Sequence, residues 1–290
     1  MRIVTGRSAM VKSIIILVFA GFFGIFCIFG FGDKAAASAQ GPSPSHTDAP
    51  GEDNCTACHI SFPVNSGAGS VQILGVPASY FPNQPIQITV TTSELGANAY
   101  GFQITAIDGT GVGRGTFTLP VQSQPKMQIV NNLVGGTLPR SYVEHTEDGL
   151  FTIGQFGSNS WTFTWTAPPQ TAGQIVFYAA GNGADGFGNP TGDYIYTTTR
   201  SSVPATPTSV TIAGKILTPD GRGVQGAKVV LTGNGVTRNI LTSSFGFYSF
   251  PDVTTGQSYT LNVQSKSYRF ASKTVFLISA LSNFDSTGQE

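Results

Sequence analysis

Alternation with a period of two constrains this chain more than any other feature. In "PIQITVTTS" the side chains of Ile86, Ile88 and Val90 fall on one side, and Gln87, Thr89 and Thr91 on the other. "WTFTWTAP" sets Trp161, Phe163 and Trp165 against threonines in the same way. Successive residues of a strand point to opposite faces, so this pattern specifies sheets buried on one side and does not suit a helix. "YGFQITAID", "RGTFTLP", "SYVEHT", "GQIVFYAAG" and "DYIYTTTR" read as further strands, divided by Gly, Pro, Asn or Asp turns. Short strands so divided predict an antiparallel β-sandwich. The Trp161, Phe163 and Trp165 stripe is read as core rather than as a sugar platform, because burial is the default for aromatics on one strand face. Charged residues make up only 10% of the chain while glycines number 36, which suits sheet and turn, and helical signals nearly vanish after residue 40.

A chain of 290 residues exceeds one average domain. "SSVPATPTSV" is a Pro/Ser/Thr stretch without aromatics, so residues 201–207 are expected to link a module at 40–200 to a second at 208–290. The second module begins "TIAGKILTPDGRGVQGAKVVLTG", with a turn at Asp220-Gly221, and continues through "FGFYSFPDV", "SYTLNVQS" and "RFASKTVFL". These segments alternate as well. The whole is expected to be all-β, one sandwich after another.

The first 39 residues differ in kind. Arg2, Arg7 and Lys12 precede an apolar run from Ile14 to Gly32, and Ala37-Ser38-Ala39 then offers a signal-peptidase site. The run exceeds the usual signal core and approaches the ~20 residues that cross a bilayer, so the alternatives are a cleaved signal peptide and a retained N-terminal anchor. Cys27 lacks the preceding small residues that a lipoprotein peptidase needs. Either way the remainder is expected to be exported, whether periplasmic, on the cell surface or extracellular. Of fifteen basic and fifteen acidic residues, four and one lie in 1–39, leaving 11 and 14 beyond it. With no basic face, nucleic acid is not an expected partner.

"EDNCTACHISFPV" carries the chemistry. Cys55 and Cys58 stand three apart, and His59 follows at once. A disulfide between such neighbours closes too short a loop to add much. A thiol oxidoreductase needs its first cysteine at a helix N-terminus after a strand, whereas a Pro-rich leader precedes this one. Zinc needs four ligands, and no second paired motif exists. A c-type heme uses every residue of the motif: two thiols add to the two vinyl groups as thioethers, and the histidine ligates the iron. One heme c, held by Cys55, Cys58 and proximal His59, is therefore expected.

Beyond residue 39, the remaining candidates for the second axial position are His145, His46 and Met127, or the position stays open. His145 is favoured because it ends a strand that can aim it, while His46 lies in the polar leader "QGPSPSHTDAPGEDN". An open position would suit peroxide chemistry, and a closed one electron transfer with a redox partner protein. "GNGADGFGNPTGD" gathers Asn182, Asp185, Asn189 and Asp193, a weak calcium candidate without EF-hand spacing that a long turn explains equally well. "GSNS" around Ser158 lacks a nucleophile elbow, which argues against a hydrolase.

"DAPGEDNCTACH", "VPASYFPNQPIQITV", "YGFQITAID", "YVEHTEDG", "WTFTWTAPP" and "VFYAAGNGADGFGNPTGDYIYT", in this order, resemble the bacterial Reeler-like choice-of-anchor V domain family over about residues 48–200. The resemblance implies export, a Reeler-like β-sandwich and the C-x-x-C-H motif, and it strengthens His145 through the segment Tyr142 to Thr146. Where many relatives end in a sorting or anchoring signal, this chain has its second module. Residues 208–290 resemble a carboxypeptidase regulatory-like domain, a transthyretin-like sandwich, through "GKILTPDGRGVQGAKVVLTGNG", "TSSFGFYSFPDV" and "YTLNV". That resemblance brings no catalytic residues and implies a spacer, or contact with cell-surface glycan or protein.

Overall fold

The computed structural model describes residues 38, 40–123, 125–150 and 157–290. The export reading of 1–39 lies outside the described residues, apart from Ser38. Among the described residues, no helix is long and apolar enough to cross a membrane.

The first module runs β1 (Ser70–Leu74), β2 (Ser79–Tyr80), β3 (Pro85–Ser93), β4 (Ala99–Ile107), β5 (Thr116–Thr118), β6 (Met127–Val134), β7 (Leu138–His145), β8 (Ser158–Thr166), β9 (Ile175–Ala184) and β10 (Tyr194–Pro204). Its strands form two sheets, in the orders β1-β3-β8-β5 and β2-β10-β9-β4-β7-β6. All neighbours are antiparallel except β2 with β10. Ile86, Ile88 and Val90 of β3 face Trp165, Phe163 and Trp161 of β8 in register, and the stripe is buried as expected. Phe102 of the facing sheet stacks on Trp161 at 4.4 Å, and Phe177 meets Trp165 edge-on at 5.0 Å. Each such side chain, fully buried, contributes about 1.5–3 kcal/mol. The indole N–H groups do not go unpaired: Trp161 donates to Gly149 O at 3.1 Å and Trp165 to Arg114 O at 2.9 Å.

Strand β4 departs from the one-sided pattern, for it is buried at every position. The leader is the reason. Gln103 Nε2 donates to Ser43 O at 3.0 Å and Gln103 Oε1 accepts the His46 N–H at 2.8 Å. Arg140 donates to Glu52 Oε1 at 2.5 Å and to Pro50 O at 2.9 Å, with both ionic side chains fully buried. The polar leader is thus an ordered strap over the outer face of the six-stranded sheet, held by β4 and β7.

The second module runs β11 (Ser209–Leu217), β12 (Lys228–Gly233), β13 (Val236–Leu241), β14 (Phe247–Thr254), β15 (Gln257–Gln264), β16 (Lys273–Leu277) and β17 (Ser286–Thr287). Its sheets are β14-β11-β17 and β13-β12-β15-β16, around a separate core that includes Ile212, Val229, Phe250 and Leu261. Gly221, at φ +84, closes the turn expected at Asp220-Gly221. The expected linker starts later than its composition suggests. Strand β10 continues through Pro204 because Val203 and Pro204 pair with Ser79 and Tyr80, which leaves 205–208 between β10 and β11.

Candidate functional site

The strap delivers the cysteine motif directly. Thr47 bridges Asn54, and the Asp48 N–H donates to Asp53 O at 2.9 Å, so the chain doubles back at 49–52 and enters the motif from a fixed point. Asn54 caps the next turn, its Oδ1 accepting the Thr56 N–H at 2.9 Å. Cys55–Ala57 forms a single 3-10 turn, and Cys55 O accepts the N–H groups of Cys58 at 3.2 Å and His59 at 3.0 Å. Both cysteines are free thiols. Burial pushes the Cys55 thiol up to about 12, against a backbone hydrogen bond and helped by nearby Cys58 and Asp48. A cysteine that works as a redox thiolate needs the opposite shift. Cys55 is a neutral thiol.

Beyond the motif the chain is clamped to β10. The Gly192 N–H donates to Ser61 Oγ at 2.8 Å, Phe62 stacks on Tyr194 at 4.2 Å, and the Asn65 N–H donates to Ile195 O at 2.8 Å. His59 therefore has a fixed position, and its Nδ1 lies 2.6 Å from Asp193 Oδ2. Asp193 is buried, and its Oδ1 accepts the Asp185 N–H at 3.1 Å. Asn182 Nδ2 stands 3.3 Å from Nδ1 and 3.4 Å from Nε2 of the same imidazole. When Nδ1 carries the proton to Asp193, Nε2 keeps a lone pair.

His145 reaches the same region from the end of β7. The registered pairing of β4 with β7 stops at Gln103 and Glu144, and there the imidazole takes up the next peptide of β4. Its Nδ1 accepts the Phe102 N–H at 2.9 Å and lies 3.1 Å from Phe102 O. In that arrangement the proton of the neutral ring is on Nε2; in the other tautomer Nδ1–H donates to the carbonyl and the bond from the Phe102 N–H is given up. Space for the ring comes from Gly101, where a Cβ would stand 2.7 Å from His145 Cε1. Burial drives the His145 pKa down to about 4; the Phe102 hydrogen bond opposes this, and charge on His59 adds to it. His145 is thus a neutral imidazole near enough to His59 to feel its charge.

The other two ligand candidates lie close by. Met127 pairs with His145 across β6 and β7 and is buried in the first core. His46 sends its carbonyl to within 4.0 Å of Cys55 Sγ, while its ring Nδ1 is 2.9 Å from Ser43 O. The calcium candidates Asn182 and Asp185 both reach Asp193, whose Oδ2 lies 3.4 Å from the Asn182 amide and whose Oδ1 accepts the Asp185 N–H. Asp185 accepts the Phe187 N–H, Asn189 accepts the Thr191 N–H, and Asp193 turns to His59. Among the described residues, no group of three or more His, Cys, Asp or Glu side chains is placed to hold a metal ion. Sequence reasoning missed Asp193 as the partner of His59, and Gly101 and Phe102 as the seat of His145. Asp193 carried a signal, a lone acid after a Gly-rich loop, but one that a turn explains equally well.

Residues 211–283 match the family model of the carboxypeptidase regulatory-like domain, within the module for which that resemblance was expected. No curated protein matches the chain. Among solved structures, the reeler domain of human F-spondin aligns at 16% identity and a TM-score of 0.34, over 49% of this chain and 93% of that one. The Reelin-N domain of F-spondin aligns at 17% and 0.35, over 52% and 96%. The full-length major pilin SpaD of Corynebacterium diphtheriae aligns at 12% and 0.27, over 76% and 68%.

Proposed function

We propose that this chain is an exported monoheme c-type cytochrome-like protein that passes single electrons to and from a redox partner protein outside the cytoplasmic membrane. Cys55 and Cys58 would hold the heme as thioethers, His59 would be the proximal ligand and His145 the distal one. The observation that carries the reading is the joining of an ordered C-x-x-C-H turn with a second, buried and neutral imidazole. One feature of the chain supports the fit: an acceptor at Nδ1 keeps Nε2 of His59 unprotonated, the arrangement that fixes the tautomer of a ligating histidine. At His145 the Phe102 carbonyl, 3.1 Å from Nδ1, offers the same acceptor in the Nδ1–H tautomer, at the expense of the bond from the Phe102 N–H.

When bound, the heme would supply a one-electron iron couple. The chain's own part is to hold the two imidazoles, keep them neutral and limit water, which together set the potential. Protein matured in a host that assembles c-type cytochromes should show a Soret band and the mass increment of one heme, both lost in Cys55→Ser with Cys58→Ser. Free thiols, or a disulfide, in correctly matured protein would sink the proposal. His145→Ala should convert a low-spin spectrum to a high-spin one that binds cyanide, and an unchanged spectrum would pass the role to Met127 or His46.

A second reading, adhesion with the heme structural or absent, draws on the second module. Strand β13 is largely exposed, and Val236, Leu241, Phe245 and Phe247 show apolar surface that could meet protein or glycan. Glycan or matrix binding that survives Cys55→Ala would favour it.

A further inference from the structure

We infer that Asp193 is a positioning residue for His59, acting through Nδ1 to fix the ring and to enrich the electron density at Nε2. The inference rests on the heme attachment proposed above. It starts from an expense: Asp193 is 2% exposed, and a buried carboxylate without a counter-charge is costly. Among the described residues no lysine or arginine meets it. Among the described residues its hydrogen-bond partners are the Asp185 N–H, the Asn182 amide and the His59 ring, and the ring makes the shortest contact. An asparagine would close the 185–193 loop equally well through its own oxygen, without that cost. What asparagine cannot do is accept strongly from an imidazole N–H at 2.6 Å.

The consequence is electronic. A carboxylate on Nδ1–H gives the ring partial imidazolate character, and a ring of that kind favours the more highly charged iron at Nε2. A heme bound here would supply a one-electron iron couple exchanged with the partner protein without a proton, and Asp193, by holding the His59 ring, would bias that couple toward the oxidised side. Asp193 also ties the motif to the β9–β10 hairpin, 134 residues away in sequence, so the bias is built into the sandwich rather than into the motif.

The test compares matured wild type with Asp193→Asn. Heme mass and a low-spin spectrum should persist in both. In a redox titration, the ferric-to-ferrous ratio of the variant at a fixed ambient potential should fall about tenfold, the scale of losing an outer-shell partner. An unchanged midpoint in a heme-bearing variant overturns the inference and leaves the heme proposal standing, whereas wild type without heme overturns both. A second measurement needs no variant. In ferrous wild type labelled with 15N-histidine, the Nδ1 proton of His59 should exchange slowly and resonate far downfield, and a fast-exchanging proton would overturn the inference even if Asp193→Asn failed to fold.

Discussion

At Asp108 one carboxylate organises a whole loop. It accepts the Thr110 N–H at 2.8 Å, the Thr110 hydroxyl at 2.6 Å, the Val112 N–H at 3.2 Å and Arg114 Nε at 2.6 Å. Burial alone would raise its pKa, but these donors outweigh burial and bring it from 3.8 down to about 2. Because the folded value lies below the unfolded one, the stabilisation is fully present above about pH 3.8 and drains away as the pH falls toward 2. Asp108→Asn should therefore cost about 1–3 kcal/mol at neutral pH and much less near pH 2. Urea unfolding at several pH values measures this, and an equal deficit at both ends would refute it. Charge pairs of this local kind can be guessed from the sequence, since Asp108 and Arg114 share a loop. The pair that matters at the site could not be. Cys55, Cys58 and His59 announce themselves by adjacency, but nothing near Asp193 points to His59, because only the folded sheet brings them together.

Strands β3 and β4 show what an element reveals and what it hides. The burial of β3 follows its alternating sequence, since its other face meets water. The sequence of β4 carries Gln103 and Thr105 at the outward positions, and both are fully buried. What covers them is a segment too polar to fold alone, which no periodicity could assign to that face. Its anchor is ionic: Glu52 Oε1 meets Arg140 at 2.5 Å and accepts the Tyr142 hydroxyl at 2.5 Å, while Oε2 accepts the Thr47 hydroxyl at 2.6 Å. Removing one member of a fully buried pair leaves the other uncompensated. Glu52→Leu should thus destabilise the first module by about 3–5 kcal/mol, and replacing Arg140 with methionine in the same chain should restore much of it. The strap of the single variant should also become a protease-sensitive segment. Equal stability of the single variant and wild type in guanidinium would show the strap to be a passenger.

Across the whole molecule, the two sandwiches have cores with no residue in common: one drawn from Val71 to Tyr196, the other from Ile212 to Leu277. Each closes on its own pair of sheets, so neither needs the other to bury its apolar face. Phe81, 8% exposed, lies against Gly256, where φ is +79 and a Cβ would come within 2.4 Å of the ring. The Ala205 N–H donates to Tyr80 O at 2.8 Å, which holds the end of β10 beside the same strand. Two cores with no residue in common, in touch where Phe81 meets Gly256, should unfold as two units coupled by that contact. Calorimetry of the full chain should then resolve two transitions, and Phe81→Ala should move the second module toward the melting temperature of residues 208–290 alone. In a module of this size each kcal/mol of lost coupling lowers the midpoint by about 4–8 °C. Because Phe81 belongs to neither core, the Soret band of matured protein should be unaffected by the change. A single transition that Phe81→Ala leaves in place would mean that the modules are bound by more than this contact, and that the composition of 201–207 marks a seam in sequence without marking one in stability.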